Sequence, residues 1–148
     1  RRRDTSLALG GWANPHADAE RQADFLTAPG VNAEFYLTQV VSHHHAAQVN
    51  RFIEVTRRRG VALPGLFGVF YYRSANPRTL AALTGFLPVP ADELTREFDR
   101  GDTAEEICAR TIRTLADAGA RHFYISNLPV GRAQAVLTAI LDKAGVAV

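Results

Sequence analysis

The chain is 148 residues long, 47% apolar and 22% charged, with a formal charge of +2. That is enough length for one domain with a sizeable core, and the balance of an ordinary globular protein. The small charge, carried by sixteen arginines and one lysine spread along the chain, gives no reading as a nucleic-acid binder, and no run approaches the roughly 18 apolar residues of a membrane span. Cys108 is the one cysteine, which excludes an internal disulfide and makes a reducing, cytoplasmic setting the expectation.

The predicted elements alternate between strand and helix. A first strand is read over Ser6 to Leu9, closed by Gly10-Gly11, with a helix from about Ala17 to Leu26 and a turn at Pro29-Gly30. The β-branched and aromatic run Glu34 to Val41 has strand length and composition. Ser42 then caps a helix whose Val49, Phe52, Ile53 and Thr56 share one face, with Gly60 at its C-terminus. A third strand lies within Val61 to Phe70, broken by Pro64 and Gly65.

Asn76-Pro77 pairs a capping side chain with proline at the first helical position. Ala91 to Phe98 reads as a further short helix. Thr103 and Glu106 form a capping box for a long helix that ends at Gly119. Cys108, Ile112 and Leu115 lie along its apolar face, so Cys108 reads as packing and not as a nucleophile. The fourth strand is His122 to Leu128, and a last helix from about Arg132 to Ala144 stops at Gly145.

Four βα units in series imply a parallel sheet. They fit either a small open α/β sheet or half of a closed eight-stranded barrel. The absence of methionine, position 1 included, leads us to expect a longer parent chain. Arg57 to Arg59 fall at a helix end, where they complement the helix dipole; Arg1 to Arg3 form the other basic cluster. His43, His44 and His45 invite a metal reading, but consecutive residues on an α-helix point about 100° apart. A solvated helix start is therefore expected there, with no metal. A phosphate loop, a nucleophile elbow and a Cys-x-x-Cys pair are all missing from the sequence.

Several short stretches, in order, resemble the methylenetetrahydrofolate reductase family. Gly10-Gly11-Trp12 with His16 and Gln22-Ala23-Asp24 resembles the fifth strand and helix of that family's barrel. Leu37-Thr38-Gln39 resembles the sixth strand, and Leu63-Pro64-Gly65-Leu66 the seventh. His122-Phe123-Tyr124 followed by Arg132-Ala133 resembles the eighth. The matches run from about residue 8 to 141. The resemblance implies a (βα)8 TIM barrel, of which this chain supplies strands 5–8 as the C-terminal half of one domain, with the N-terminal half as its partner. In such a barrel the strand C-termini and the loops after them form the active-site face.

By that resemblance Gln39 hydrogen-bonds the pterin of a folate, for which an amide has both a donor and an acceptor. Arg132 meets the substrate, where a guanidinium can hold a carboxylate in a bidentate pair. Trp12, His16 and Asp24 fall where the family contacts its flavin. Arg96 falls near a second substrate position. The implied reaction reduces 5,10-methylenetetrahydrofolate to 5-methyltetrahydrofolate with NAD(P)H, a step of one-carbon and methionine metabolism. It needs an acid to open the imidazolidine ring, and none is evident in this span, so the acid is expected upstream.

The family's flavin (FAD) meets a lysine in a longer helix before the sixth strand. Here no lysine precedes Lys143, and neither lysine nor arginine occurs between Arg21 and Arg51, which puts FAD in doubt and fits direct hydride transfer from the nicotinamide. The rival reading is a non-catalytic folate- or nucleotide-binding α/β module, closing its sheet as a homo-oligomer.

Overall fold

The computed structural model describes residues 7–146. In chain order it contains β1 (Gly10–Ala13), α1 (Ala19–Thr27), β2 (Phe35–Val41), α2 (Ala46–Arg58), β3 (Gly65–Phe70), α3 (Pro77–Thr84), α4 (Ala91–Asp99), α5 (Ala104–Asp117), β4 (His122–Ser126) and α6 (Ala133–Ala144). Single 3-10 turns stand at His43–His45 and Val130–Arg132. Ser42 caps the 3-10 turn at His43–His45 and not α2, which starts after His45 without a side-chain cap; two other expected caps form. Asn76 accepts from the amides of Arg78 and Thr79, and Thr103 and Glu106 close a reciprocal capping box.

All four strands are parallel and follow the order β1-β2-β3-β4. Each crossover thus moves one strand further in the same direction. The helices α1, α2, α5 and α6 lie on one face, linked by contacts of α1 with α2, α2 with α5 and α5 with α6. On that face Ala13, Tyr36, Phe67 and Val69 pack with Leu26, Phe52, Cys108, Ile112, Leu115, Val136 and Ile140 in one core. The Phe52 ring sits edge-on between Tyr36 and Phe67, at centroid distances of 6.1 and 6.2 Å.

By strand alternation the opposite face carries Trp12, Phe35, Leu37, Leu66, Phe70 and Tyr124. None of these is fully buried, and Trp12 is 55% exposed. Parallel sheets are normally covered on both faces; here the helices cover one. The short helices α3 and α4 build a second, smaller core from Leu80 and Leu94 with Tyr72 and Ile107, beside the C-terminal end of β3.

Two strand boundaries differ from the sequence expectation. Leu7 to Leu9 carry no strand, and the Gly-Gly-Trp stretch read as its terminator is β1 itself; Ser6 lies outside the described residues, as do Arg1 to Arg3. Gly10 pairs with Phe35 of β2, whose ring lies where a side chain at position 10 would stand, 2.8 Å from an ideal Cβ. Pairing with β2 therefore selects a glycine that intrinsic strand preference disfavours. At the other edge, β4 ends at Ser126 and not Leu128, because Asn127 turns the chain with φ +68°.

Candidate functional site

The loops that follow the strands gather at one end of the sheet, where ligand sites of parallel α/β folds are built. At β2 the ladder is irregular. Leu37 pairs with Leu66 and Val40 with Gly68, so Thr38 and Gln39 together oppose Phe67. The Thr-Gln pair is thus a β-bulge, a device common beside active sites.

Thr38 is fully buried, its hydroxyl accepting from the Gly68 amide at 3.0 Å while its carbonyl accepts from the Tyr124 hydroxyl at 2.6 Å. Gln39 is half-buried, and its side-chain oxygen accepts from the Val40 amide at 2.9 Å. Trp12 lies opposite Leu37 on the neighbouring strand. His16 reaches the same end, its Nε2 2.9 Å from the Val40 carbonyl and its ring edge-on to His45 at 4.6 Å. Trp12, His16 and Gln39 therefore lie at or just past the C-terminal ends of the adjoining strands β1 and β2.

The other sequence-derived residues lie elsewhere. Asp24 stands on the exposed side of α1 and pairs with Arg59 just past α2, in the helix layer. Arg132 ends the turn after β4 and is exposed; its charge acts on Tyr71, just past β3. Arg96 is exposed on α4 and pairs with Glu93 at 3.5 Å. Cys108 is buried in the core, and burial pushes its thiol up to about 12. Arg57 and Arg58 do fall in the last turn of α2, with Arg58 bonded to Glu20.

Beyond β3 and β4 a small cavity of about 280 Å³ opens between Phe70, Tyr72, Arg73, Leu80 and Asn127. The Asn127 carbonyl accepts from Arg73 Nε and Nη2 at 3.2 and 3.0 Å, and its side-chain amide donates to the Tyr71 carbonyl at 3.0 Å. Those bonds hold a non-glycine residue in the left-handed region, a conformation that asparagine tolerates. The neighbouring Ser126 hydroxyl is buried without a hydrogen-bond partner among the described residues. Such orphaned groups are rare in folded proteins.

The histidine run corrects the expectation of a solvated helix start. Its first two rings turn inward, with centroids 3.9 Å apart, onto the carboxylate of Glu97 in α4. His43 Nε2 lies 2.9 Å from Oε1 and His44 Nε2 3.1 Å from Oε2. Glu97 is only 2% exposed, and it also accepts from Arg110 of α5, which holds Asp102 through both terminal nitrogens at 3.0 Å. His43 Nδ1 meets the Thr111 hydroxyl at 2.9 Å.

His45 turns the other way, to Ser42 and His16. Burial raises the Glu97 carboxyl, but the hydrogen bonds and charges of His44 and His43 outweigh it and hold the group below the ordinary range. Burial lowers His43, and lowers His45 to about 4 with help from His16 and His44. Glu97 is thus held as a carboxylate between His43 and His44, while His45, on the other side, is held as a neutral imidazole. Sequence reasoning missed Glu97, although a signal exists: it stands three residues after Leu94, on the apolar stripe of α4.

No family model matches this sequence, and neither does any curated protein.

Proposed function

We propose that this chain forms strands 5–8 of a (βα)8 barrel and belongs to a reductase of methylenetetrahydrofolate, with NAD(P)H as the hydride source. The observation that carries the reading is the bulge at Thr38-Gln39. It lies at the C-terminal end of a parallel sheet that winds in one direction, with Trp12 and His16 on the adjoining strand end. A sheet wound in this sense and covered on one face has the form of a barrel wall. We infer that four further βα units close it over the face that bears Trp12, Leu37 and Tyr124.

In this reading Gln39 exchanges its bond to the Val40 amide for the edge of a pterin ring, with both donor and acceptor engaged. Trp12 supplies an aromatic face for a pterin or nicotinamide. The buried Ser126 hydroxyl and Arg73 mark the far side of the strand-end face, and Arg132 lies within reach of a carboxylate tail there. Asp24, held by Arg59 in the helix layer, has no part in it. FAD is not assigned, because no lysine or arginine lies between Arg21 and Arg51 to meet its phosphates. The acid that opens the imidazolidine ring comes from the other half of the barrel.

The test is NAD(P)H oxidation by the full-length polypeptide with 5,10-methylenetetrahydrofolate, together with its visible absorption. Turnover without a flavin band supports direct hydride transfer, and Gln39→Ala then lowers kcat/KM by about tenfold, the worth of a hydrogen bond or two. Turnover with a bound flavin restores the family's usual cofactor and removes the argument from the missing cation. No turnover sinks the reductase reading and leaves the binding module, which the uncovered sheet face favours as a self-associating form.

A further inference from the structure

We propose that His43, His44 and Glu97 form a binding site for one first-row divalent transition-metal ion, zinc being the best chemical fit. One ring nitrogen of each histidine and a Glu97 oxygen all lie within 4.8 Å of one another. Two histidines and a carboxylate are a ligand set that binds zinc and its neighbours, with metal–nitrogen and metal–oxygen distances near 2.0–2.2 Å. Ligand atoms in a tetrahedral site of that size stand about 3.3 Å apart. His43 Nε2 stands 2.9 Å from Oε1 and His44 Nε2 3.1 Å from Oε2, so an ion that replaces these two hydrogen bonds draws the ligand atoms together from a spread of up to 4.8 Å.

The surroundings suit the ion. Metal-bound histidines usually direct their other ring nitrogen to a supporting acceptor, and His43 Nδ1 already meets the Thr111 hydroxyl at 2.9 Å. Loading moves the His43 proton from Nε2 to Nδ1, and Thr111 changes from donor to acceptor.

The competing cation is Arg110, which touches the same carboxylate. It has an alternative partner in Asp102, already held through both terminal nitrogens, and it is 35% exposed, so it can swing away. His44, at 20% exposure, leaves the site open on one side. The ion would join the end of β2 to α4, tying the α3–α4 excursion to the sheet. This inference does not rest on the reductase reading.

The test uses tag-free protein titrated with Co²⁺ and then Zn²⁺, followed by the visible absorption of Co²⁺ and by the metal content after dialysis. The expected result is one equivalent of Co²⁺, displaced by Zn²⁺, and a higher Tm with either ion, because an ion that binds only the folded state stabilises it. Glu97→Gln and His44→Asn should each weaken binding by at least about 100-fold, more than removal of a supporting partner costs. Arg110→Gln removes the competitor and should tighten it. Wild-type protein that takes up no stoichiometric ion overturns the proposal. So does uptake unchanged in His44→Asn, a position 20% exposed, the variant to use if Glu97→Gln does not fold.

Discussion

Gly68→Ala tests whether the close approach of Tyr124 over β3 holds the bulge in place. An ideal Cβ at position 68 would lie 2.4 Å from the Tyr124 hydroxyl oxygen, 2.6 Å from Cζ and 3.0 Å from Cε1. The ring cannot swing aside freely, because its hydroxyl is anchored on the Thr38 carbonyl at 2.6 Å. Forcing it away costs roughly 1–3 kcal/mol of overpacking and about 1 kcal/mol for the hydrogen bond. Replacing glycine in a strand returns about 0.5–1 kcal/mol.

The net expectation is a loss of about 2 kcal/mol, or a Tm lower by roughly 4–8 °C for a chain of this size. The assay is urea unfolding of four proteins: wild type, Gly68→Ala, Tyr124→Ala and the double variant. In the Tyr124→Ala background the added methyl should cost nothing, giving a coupling of about 2 kcal/mol, within the range of contacting pairs. If Gly68→Ala is neutral in the wild type, or costs as much without the Tyr124 ring, the contact does not constrain the sheet as described.

Three further outcomes follow from the core and the caps. Phe52→Ala, which removes a fully buried ring between Tyr36 and Phe67, should cost about 3–5 kcal/mol by urea denaturation. Cys108, pushed from its ordinary 9.0 up to about 12 chiefly by burial, should stay unmodified by a thiol reagent until the protein unfolds. Its folded pKa is raised, so its contribution is present below pH 9 and is lost as pH rises toward 12; rapid labelling in native buffer would contradict this.

Glu106 is drawn from 4.5 down to about 2 by the Thr103 amide first, then the Thr103 hydroxyl and Lys143. Its folded pKa is depressed, so it stabilises α5 above pH 4.5 and that contribution disappears as pH falls through about 2. Glu106→Gln should flatten the acid limb of a stability–pH curve, and an unchanged limb would argue against the capping box.

The alternation of elements was legible because it is local. Hydrophobic period, the Asn76-Pro77 start and the Thr103–Glu106 box each act within a few residues, and each stands where it was read. Gln39 and its neighbours at the β2 end were legible in the same way, as a strand and its terminus. Local rules failed where a distant residue decides the conformation. Gly10 and Gly11 form a strand by pairing with Phe35 and Tyr36 of β2, and Thr38-Gln39 becomes a bulge only in register with Gly68.

The histidine run shows the same division. The sequence by itself determined that three consecutive rings cannot share one direction, and His45 does part from the other two. That His43 and His44 close on a buried carboxylate was decided by tertiary structure, since Glu97 is 53 residues from His44 along the chain. The physical reason is the energetics of burial. A charge excluded from water must be met by donors wherever the fold can bring them, and sequence spacing carries no record of which segments the crossovers will place side by side.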